Sequence, residues 1–589
     1  MTSDIITITA IPEESDGRED FLSGLRNTES EAPAALHLHA SPSPDRPQGS
    51  DKGRDGIPDA ESQSCNDDPA PDYQTFKLTA TGWLIFCSLA VLTLMVALDG
   101  TSISVALPEM ASSLHGTAMQ AFWSGTSFLL CSTVFQPTTA TLSDIFGRRP
   151  IILISLAFFF IGSLVAGIAN DFTQILVGRC LQGVGGGGIA VLSEVVVTDL
   201  VPLRLRGNYY GILSAMYSLG SVLGPILGGG FSENVTWRWI FYINFPFIGI
   251  STFLILFFFR LETPPGSIKT KLRKIDYVGT ALFISSLSAF LIPLTWGGIM
   301  YPWSSWHTLV PLSLGIAGLT VFAMYSIKAS NPMISRSVFG NRSAVIAFTT
   351  SFLQGLILWG ALYYLPLYYQ AVREFGPILT GVALFPQTFT VAPSAIFCGV
   401  IITVTGRYRW GLWIGWALSI LGLGLLTLLD RHTSTVAWIF LNIPSGLGLG
   451  FLTAAIVCTV QASATNKNLT VAVAMVVFFR AFGQAVGIAV GGVIFQNRMR
   501  HELLKYSEWR DIAEELSQDA AALVTVIQNM HAGGEASAKD DLQKAYTDSL
   551  RIIWAFMAGV AGVGLLLSLW VKKYDLNRAL KTEQGIKER

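Results

Sequence analysis

Charge is what this sequence has least of. Only 13% of its 589 residues are Asp, Glu, Lys or Arg, where a soluble domain carries about 25%. Just over half (51%) are hydrophobic, with 36 Phe among them, so the chain enters the membrane class before any motif is read. Histidine is missing from the interior of the apolar runs: all seven, including His115, His307, His432 and His501, fall in the N-terminal tail, in loops or at run ends. The side chain best suited to switching charge near neutral pH is therefore not available there. Without a His cluster or a Ser–His–carboxylate set in the membrane, an enzyme is not expected. Of six cysteines, Cys65 is in the tail, and Cys87, Cys131, Cys180, Cys398 and Cys458 stand in apolar runs. That usage predicts neither a disulfide framework nor a metal site.

The net charge of −1 hides an uneven distribution. Residues 1–75 hold 16 acidic and 5 basic side chains, leaving 34 basic and 24 acidic for the rest. The tail is rich in Ser, Pro, Gly and Asp ("SPSPDRPQGSDKGRDGIPDAES") and has too little apolar surface to fold, so residues 1–76 are expected to be a disordered cytoplasmic segment. It lacks a basic stretch followed by an apolar core, so the first apolar run is expected to act as the insertion signal.

Apolar runs of about 20 residues are long enough to cross the hydrocarbon. Fourteen are present, near 83–107, 119–141, 150–169, 172–197, 208–231, 238–259, 277–297, 308–327, 344–370, 377–402, 410–429, 435–459, 470–496 and 552–571. Basic residues gather in the loops after even-numbered runs, among them Arg148, Arg149, Arg204, Arg206, Lys269, Lys271, Arg336, Arg407, Arg409 and Lys467. This places those loops and both termini in the cytoplasm. The segment 497–551, charged in both signs, falls outside. Its stretch "HELLKYSEWRDIAEEL" reads either as an amphipathic helix on the outer surface or as a solvated loop helix.

In "GRCLQGVGGGGIAV" (178–191), Gly183, Gly185 and Gly188 have the G-x-G-x-x-G spacing of a dinucleotide loop. The glycines lie inside the fourth apolar run, with no strand before them, so they predict close helix approach and no bound nucleotide. They also belong to a repeat. Gly183, Gly185 and Gly187 fall on Gly446, Gly448 and Gly450 at an offset of 263 residues, and Gly220, Gly224, Gly228 and Gly229 fall on Gly483, Gly487, Gly491 and Gly492 at the same offset. "FGRRP" (146–150) is echoed by "TGRYRW" (405–410), four residues out of register. The expected organisation is a tail (1–76), a six-helix bundle (77–260), two inserted helices (261–335), a second six-helix bundle with an outer loop (336–572) and a C-terminal tail (573–589). Internal repeats with a site at their interface are typical of secondary transporters.

Charges inside the runs are few enough to read singly. Asp99 lies about eight residues from the outer end of span 1 and Arg179 about seven from that of span 4, so both sit about 10–12 Å deep at 1.5 Å per residue. An ionised group near the bilayer centre costs about 2.5–3.5 kcal/mol. The two are expected to face one cavity within direct or one-water reach; snorkelling or polar packing is the alternative. A carboxylate whose arginine partner moves during a cycle binds and releases protons. Asp99 with Arg179, and Glu194, are therefore the candidate proton-coupling residues, with a solvated helix end as the other reading of Glu194. Arg480, about ten residues into span 13, either binds substrate or pairs across a cavity. Gln136, Tyr217, Tyr364, Tyr368, Gln387 and Asn442 are candidates for an amphipathic substrate cavity, with ordinary helix packing as their alternative. Gly224-Pro225 interrupts regular bonding and is expected to bend span 5.

Four motifs carry a family resemblance: "LDGTSISVALP" (98–108), "LSDIFGRRP" (142–150), "GRCLQGVGGGG" (178–188) and "GSVLGPILGG" (220–229), supported by "WRWIFYINFP" (237–246). Over residues 77–575 the chain resembles the major facilitator superfamily, in particular the 14-span drug:H⁺ antiporters such as fungal toxin-efflux pumps. Ala140 stands where that family usually has Gly, and Ile145 where it usually has a basic residue. The resemblance implies that Asp144 and Arg148, beside Arg149, lock the halves on the cytoplasmic side. It further implies that the bend at Gly224, Pro225 and Gly228 seals the cavity against proton leak.

The combined expectation is an all-α polytopic membrane protein with the major facilitator fold, two related six-helix bundles plus two inserted helices. It would export small amphipathic molecules such as secondary metabolites, toxins or drugs against a proton gradient, by alternating access in the cell membrane. Its partners would be a small-molecule substrate, protons and the lipid bilayer, with no nucleotide, nucleic acid, cofactor or metal. Rival readings are a 14-span carrier of siderophores or basic amino acids, at the plasma or vacuolar membrane, and a non-transporting sensor.

Overall fold

The computed structural model describes residues 76–577 and 584, apart from 117, 299, 466–467, 518–519 and 531–535. The expected disorder of the N-terminal tail lies outside these residues, as do Lys467 and most of the C-terminal tail.

Among the described residues there is no strand, and fourteen helices of spanning length follow one another. They are span 1 (Ala80–Ser113), span 2 (Ala118–Phe146), span 3 (Arg148–Gly167), span 4 (Phe172–Leu200) and span 5 (Arg206–Asn234). Next come span 6 (Trp239–Phe258), span 7 (Tyr277–Trp296), span 8 (Trp306–Lys328), span 9 (Arg342–Ala371) and span 10 (Ile378–Thr405). Span 11 (Arg409–Leu426), span 12 (Thr435–Ser463), span 13 (Leu469–Leu503) and span 14 (Ala536–Leu569) complete the series. Thirteen are both long and apolar enough to cross a membrane. Span 2, at 29 residues, is the remaining one; its apolarity is lowered by Ser124, Ser127, Thr133 and Gln136, which are buried inside the protein. With fourteen crossings both ends of the helical core emerge on one side, the terminal face.

Local chemistry sets several helix starts. Thr79, Asp171, Asp276, Ser305, Asn341 and Ser434 each accept a backbone N–H of the first turn, satisfying donors that the helix itself leaves open. Span 10 is interrupted at Leu384, just ahead of Pro386, whose missing N–H cannot continue the ladder. Span 5, by contrast, runs unbroken through Pro225 from Arg206 to Asn234.

Three ends differ most from the apolar runs: span 1 continues to Ser113, span 13 to Leu503, and span 14 begins at Ala536. Hydropathy marks where lipid ends, and these helices extend beyond it. The expected helix over "HELLKYSEWRDIAEEL" is accordingly not one element. His501–Leu503 finish span 13, turns follow, and only Ala513–Ser517 is helical again. Within this stretch Glu502 is buried among Arg498, His501 and Lys505. The start of span 14 is tied by Lys539 to Glu374, and by Asp540 to Arg431, on the loops after spans 9 and 11.

Span 1 packs on spans 5 and 6, span 2 on span 4, and span 3 on spans 4 and 6; spans 9 to 14 repeat this pattern. The repeated glycines make the repeated contacts. Gly183 and Gly187 abut the span 2 backbone at Phe128 and Ser132, as Gly446 and Gly450 abut span 10 at Gln387 and Val391. Gly185 meets span 3 at Ser155 and Phe159, as Gly448 meets span 11 at Gly415 and Ser419. Gly220 and Gly483 do the same against Leu94 and Phe352 of spans 1 and 9. Partners on the first three spans of each half are offset by 258–260 residues and the glycines by 263. The extra residues therefore lie between spans 11 and 12, and Gly147 matches Gly406 at an offset of 259, which accounts for the slipped register of the two loop motifs.

The halves meet where span 5 packs on span 10 and span 2 on span 13, two seams that the repeat interconverts. Spans 7 and 8 form a hairpin packed chiefly on itself. Span 7 leans on the second seam through Trp296 on Trp123, Phe283 on Phe478 and Phe290 on Phe482.

Candidate functional site

Between the halves lies a partly open cavity, with about 1500 Å³ of space free of protein atoms when the open solvent at its mouth is included. Its wall combines Phe128, Leu213, Tyr217, Trp359 and Val457 with hydroxyl and amide groups of Thr93, Thr101, Ser193, Gln136 and Gln484. Among the described residues it contains two charged side chains, Glu194 from span 4 and Arg480 from span 13. They pair across the halves, Arg480 Nη1 donating to Glu194 Oε1 at 3.2 Å, with side chains 15% and 16% exposed. Glu194 is thus not at a solvated helix end. It is set within a turn of buried residues whose backbone also accepts from Tyr210, at the Glu194 carbonyl.

Asp99 and Arg179 also pair, at 2.6 Å, both fully shielded. They do not face the cavity as expected. Their neighbours Gly100 and Thr101 line it, and so does Phe128, over whose ring the Arg179 guanidinium sits at 4.4 Å. Phe128 therefore separates the pair from the cavity. The shell around the pair is polar: Gln182 Nε2 and Asn244 Nδ2 donate to Asp99 Oδ1 at 3.0 and 2.7 Å, and Arg179 also donates to Gln182 Oε1 and the Ser124 carbonyl. Asp99 thus accepts from three side chains, one of them a guanidinium, and such charge-assisted bonds are among the stronger ones in a protein interior. Asn244 was visible in "WRWIFYINFP", but nothing in that stretch indicates that it reaches Asp99.

A third cluster ties the terminal face. Arg148 donates to Asp199 (2.8 Å), Asp144 (2.6 Å), Ser143 (3.0 Å) and, across the halves, Thr470 Oγ1 (2.9 Å). Arg206 donates to Gln461 of span 12 at 3.0 Å, and Gln461 to Tyr210 at 2.7 Å. Arg204 donates to the Thr403 and Val404 carbonyls. Arg149 takes no part; it caps the Leu256 carbonyl. Asp199 and Gln461 escaped the sequence reading, and Arg206 entered it only as a loop charge, because all three stand at run ends, where charge and amides are ordinary. In span 5, Gly224 lies against Leu98 and Thr101, Gly228 against Ser102, and Pro225 faces Gly381 of span 10.

Of the residues expected in the cavity wall, Gln136, Tyr217 and Arg480 line it. Tyr364, Tyr368, Gln387 and Asn442 do not. Tyr364 donates to the Ile488 carbonyl, Tyr368 to that of Asp430, and Asn442 to Tyr369 and the Trp438 carbonyl. Gln387 is buried where Gly446 packs on its backbone. The two tyrosines and Asn442 thus bond within the second half, while neither amide atom of Gln387 has a partner; of "LWGALYYLPLYYQ" only Leu358, Trp359 and Leu362 reach the cavity.

Two related helical bundles around a central, mostly apolar cavity with a cross-bundle ion pair define a membrane carrier. The family model described as Major Facilitator Superfamily matches residues 89–488, and the chain belongs to that superfamily of transporters. It is 51% identical over 512 residues to "MFS transporter L2" of a Phoma species, covering 86% of this chain and 85% of that protein. It is 36% identical over 539 residues to an "MFS-type efflux pump" of a Fusarium species, covering 90% and 95%. Among solved structures, the human organic anion transporter MFSD10 has a TM-score of 0.50 at 16% identity, over 82% of this chain and 98% of its own, a likeness of fold alone.

Proposed function

We propose that this transporter exports small amphipathic organic molecules, such as secondary metabolites or drugs, in exchange for protons. The observation that carries this reading is the pairing of Glu194 with Arg480 inside a largely apolar cavity, beside a second, sealed pair at Asp99 and Arg179. The cavity suits an amphipathic solute, and Asp99 is the group we assign to carry the proton, with Glu194 as a second titratable carboxylate. The arginine clusters of Arg148, Arg204 and Arg206 tie the halves on the terminal face, which we take as cytoplasmic by the positive-inside rule, in the cell membrane. Export is favoured by the relatives named as efflux pumps. A carrier of basic amino acids fits less well, because the one carboxylate in the wall is already held by Arg480. In inverted vesicles, an imposed inside-acid gradient should drive uptake of an amphipathic dye, and collapse of the gradient should stop it. Uptake indifferent to the gradient would overturn proton coupling, and absence of any dye movement would overturn the cargo class.

A further inference from the structure

Of the four arginines set among the core helices, Arg148, Arg179, Arg206 and Arg480, the last is the least satisfied. Every guanidinium nitrogen of Arg148 has a partner, as does every one of Arg206. Arg179 lacks one only at Nη2, and its face rests on Phe128. Arg480 has a single bond, from Nη1 to Glu194, while Nε and Nη2 are shielded from solvent and have no acceptor. Nε and Nη2 form the side-on edge of the guanidinium, two parallel N–H groups whose spacing matches the two oxygens of a carboxylate. A buried donor without a partner costs about 1–3 kcal/mol, more when charged. Among the described residues the wall around it supplies no further acid: Glu194 is the one carboxylate there, and Asp99 is sealed behind Phe128. Gln136 Oε1 and Ser193 Oγ, which also line the cavity, have no partner either. Those neutral groups do not match the doubled donor of Arg480.

We propose that the cargo carries a carboxylate, or an equally acidic oxyanion, which seats on Nε and Nη2 of Arg480 when the side chains that shield this edge move aside, while its apolar body lies against Trp359, Leu213 and Val457. This rests on the exporter reading above and narrows its substrate class to organic acids. Glu194 keeps Nη1 and holds the guanidinium in place, so it is a positioning residue. A cation on the free Glu194 Oε2 is the competing occupant. It is disfavoured because the carboxylate offers one open oxygen, whereas the arginine offers a complete fork.

The probes are 1-naphthaleneacetate, its methyl ester and 1-naphthylethylamine, which share the ring system and differ in charge. Binding is measured by calorimetry on the full chain in lipid nanodiscs at pH 7. The acid should bind at least about tenfold more tightly than the ester, as expected for a charge-assisted bidentate pair. Arg480→Gln should remove that preference and leave ester binding within about threefold, which also reports an intact cavity. Arg480→Lys should keep only part of it, since a point charge replaces the fork. Glu194→Gln, by removing the competing negative charge, should tighten acid binding and leave the ester unmoved. Equal affinity of the wild type for acid and ester, retention of the preference in Arg480→Gln, or preferential binding of the amine would overturn the anion seat. Binding of the ester without acid preference overturns the seat while sparing the exporter reading; binding of none of the three overturns both.

Discussion

Replacing Asp99 by Asn probes the sealed pair most directly. The carboxylate accepts from Arg179 at 2.6 Å on one oxygen and from Gln182 and Asn244 at 3.0 and 2.7 Å on the other. An asparagine has a single oxygen. With that oxygen toward Gln182 and Asn244, its NH₂ is set against the Arg179 donor; turned round, it is set against the two amides. In either orientation the guanidinium, fully shielded, loses its counter-charge. Removing one partner of a buried pair costs about 3–5 kcal/mol, a large part of a total stability of about 5–15 kcal/mol. Asp99→Asn should therefore lower the thermal midpoint markedly. The double variant Asp99→Asn/Arg179→Gln, which leaves no unpaired charge, should recover most of the loss. Neither should couple transport to protons. The assays are thermal unfolding by tryptophan fluorescence in detergent and pH-driven uptake in proteoliposomes. A double variant no more stable than the single one would refute the charge-compensation reasoning, and gradient-driven transport by either would refute the proton role of Asp99.

Three further outcomes are expected. A methyl at Gly185 would lie 2.6 Å from Phe159 N and nearer still to the Ser155 carbonyl, about 1 Å inside contact distance; Gly562 has open space. Gly185→Ala should destabilise by about 1–3 kcal/mol while Gly562→Ala should be neutral or gain up to about 1 kcal/mol, and equal melting shifts for the two would contradict the packing role. Arg206→Gln removes the charge from the tie to Gln461 and should raise N-ethylmaleimide labelling of buried Cys458, read by mass spectrometry; unchanged labelling would show that the tie does not close the terminal face. Phe128→Ala should open Asp99 and Arg179 to cavity water and make uptake leak protons without cargo, and a leak equal to wild type would deny Phe128 that barrier role.

Much of the fold was legible because hydropathy and glycine spacing are linear signals. Depth is linear too, and counting residues from the outer ends was enough to bring Asp99 and Arg179 to one level. What a linear signal lacks is azimuth, the direction a side chain takes around its helix. Tyr364 and Tyr368 share a run with Trp359, yet their hydroxyls end on backbone carbonyls of the second half, whereas Trp359 reaches the cavity. The same limit hid Phe128, a phenylalanine among 36, which separates Asp99 from the place where it was expected. The partner of Arg480 was open between substrate and a cross-cavity acid, because the 286 residues between it and Glu194 fix no geometry until both halves are folded.

The hairpin of spans 7 and 8 makes the molecule unequal toward its solvent. It lies along the seam of spans 2 and 13, with span 8 only 11% buried, so that side presents lipid with an inserted wall. Among the described residues the seam of spans 5 and 10 has no such cover and is flanked by exposed Leu219, Phe389 and Phe397. Spans 5 and 10 close on each other directly, Gly207 against Gly399 and Gly211 against Ile396. The two flanks of the carrier are therefore unlike, and whatever packs against it in the bilayer meets an inserted hairpin on one side and the joint between the halves on the other.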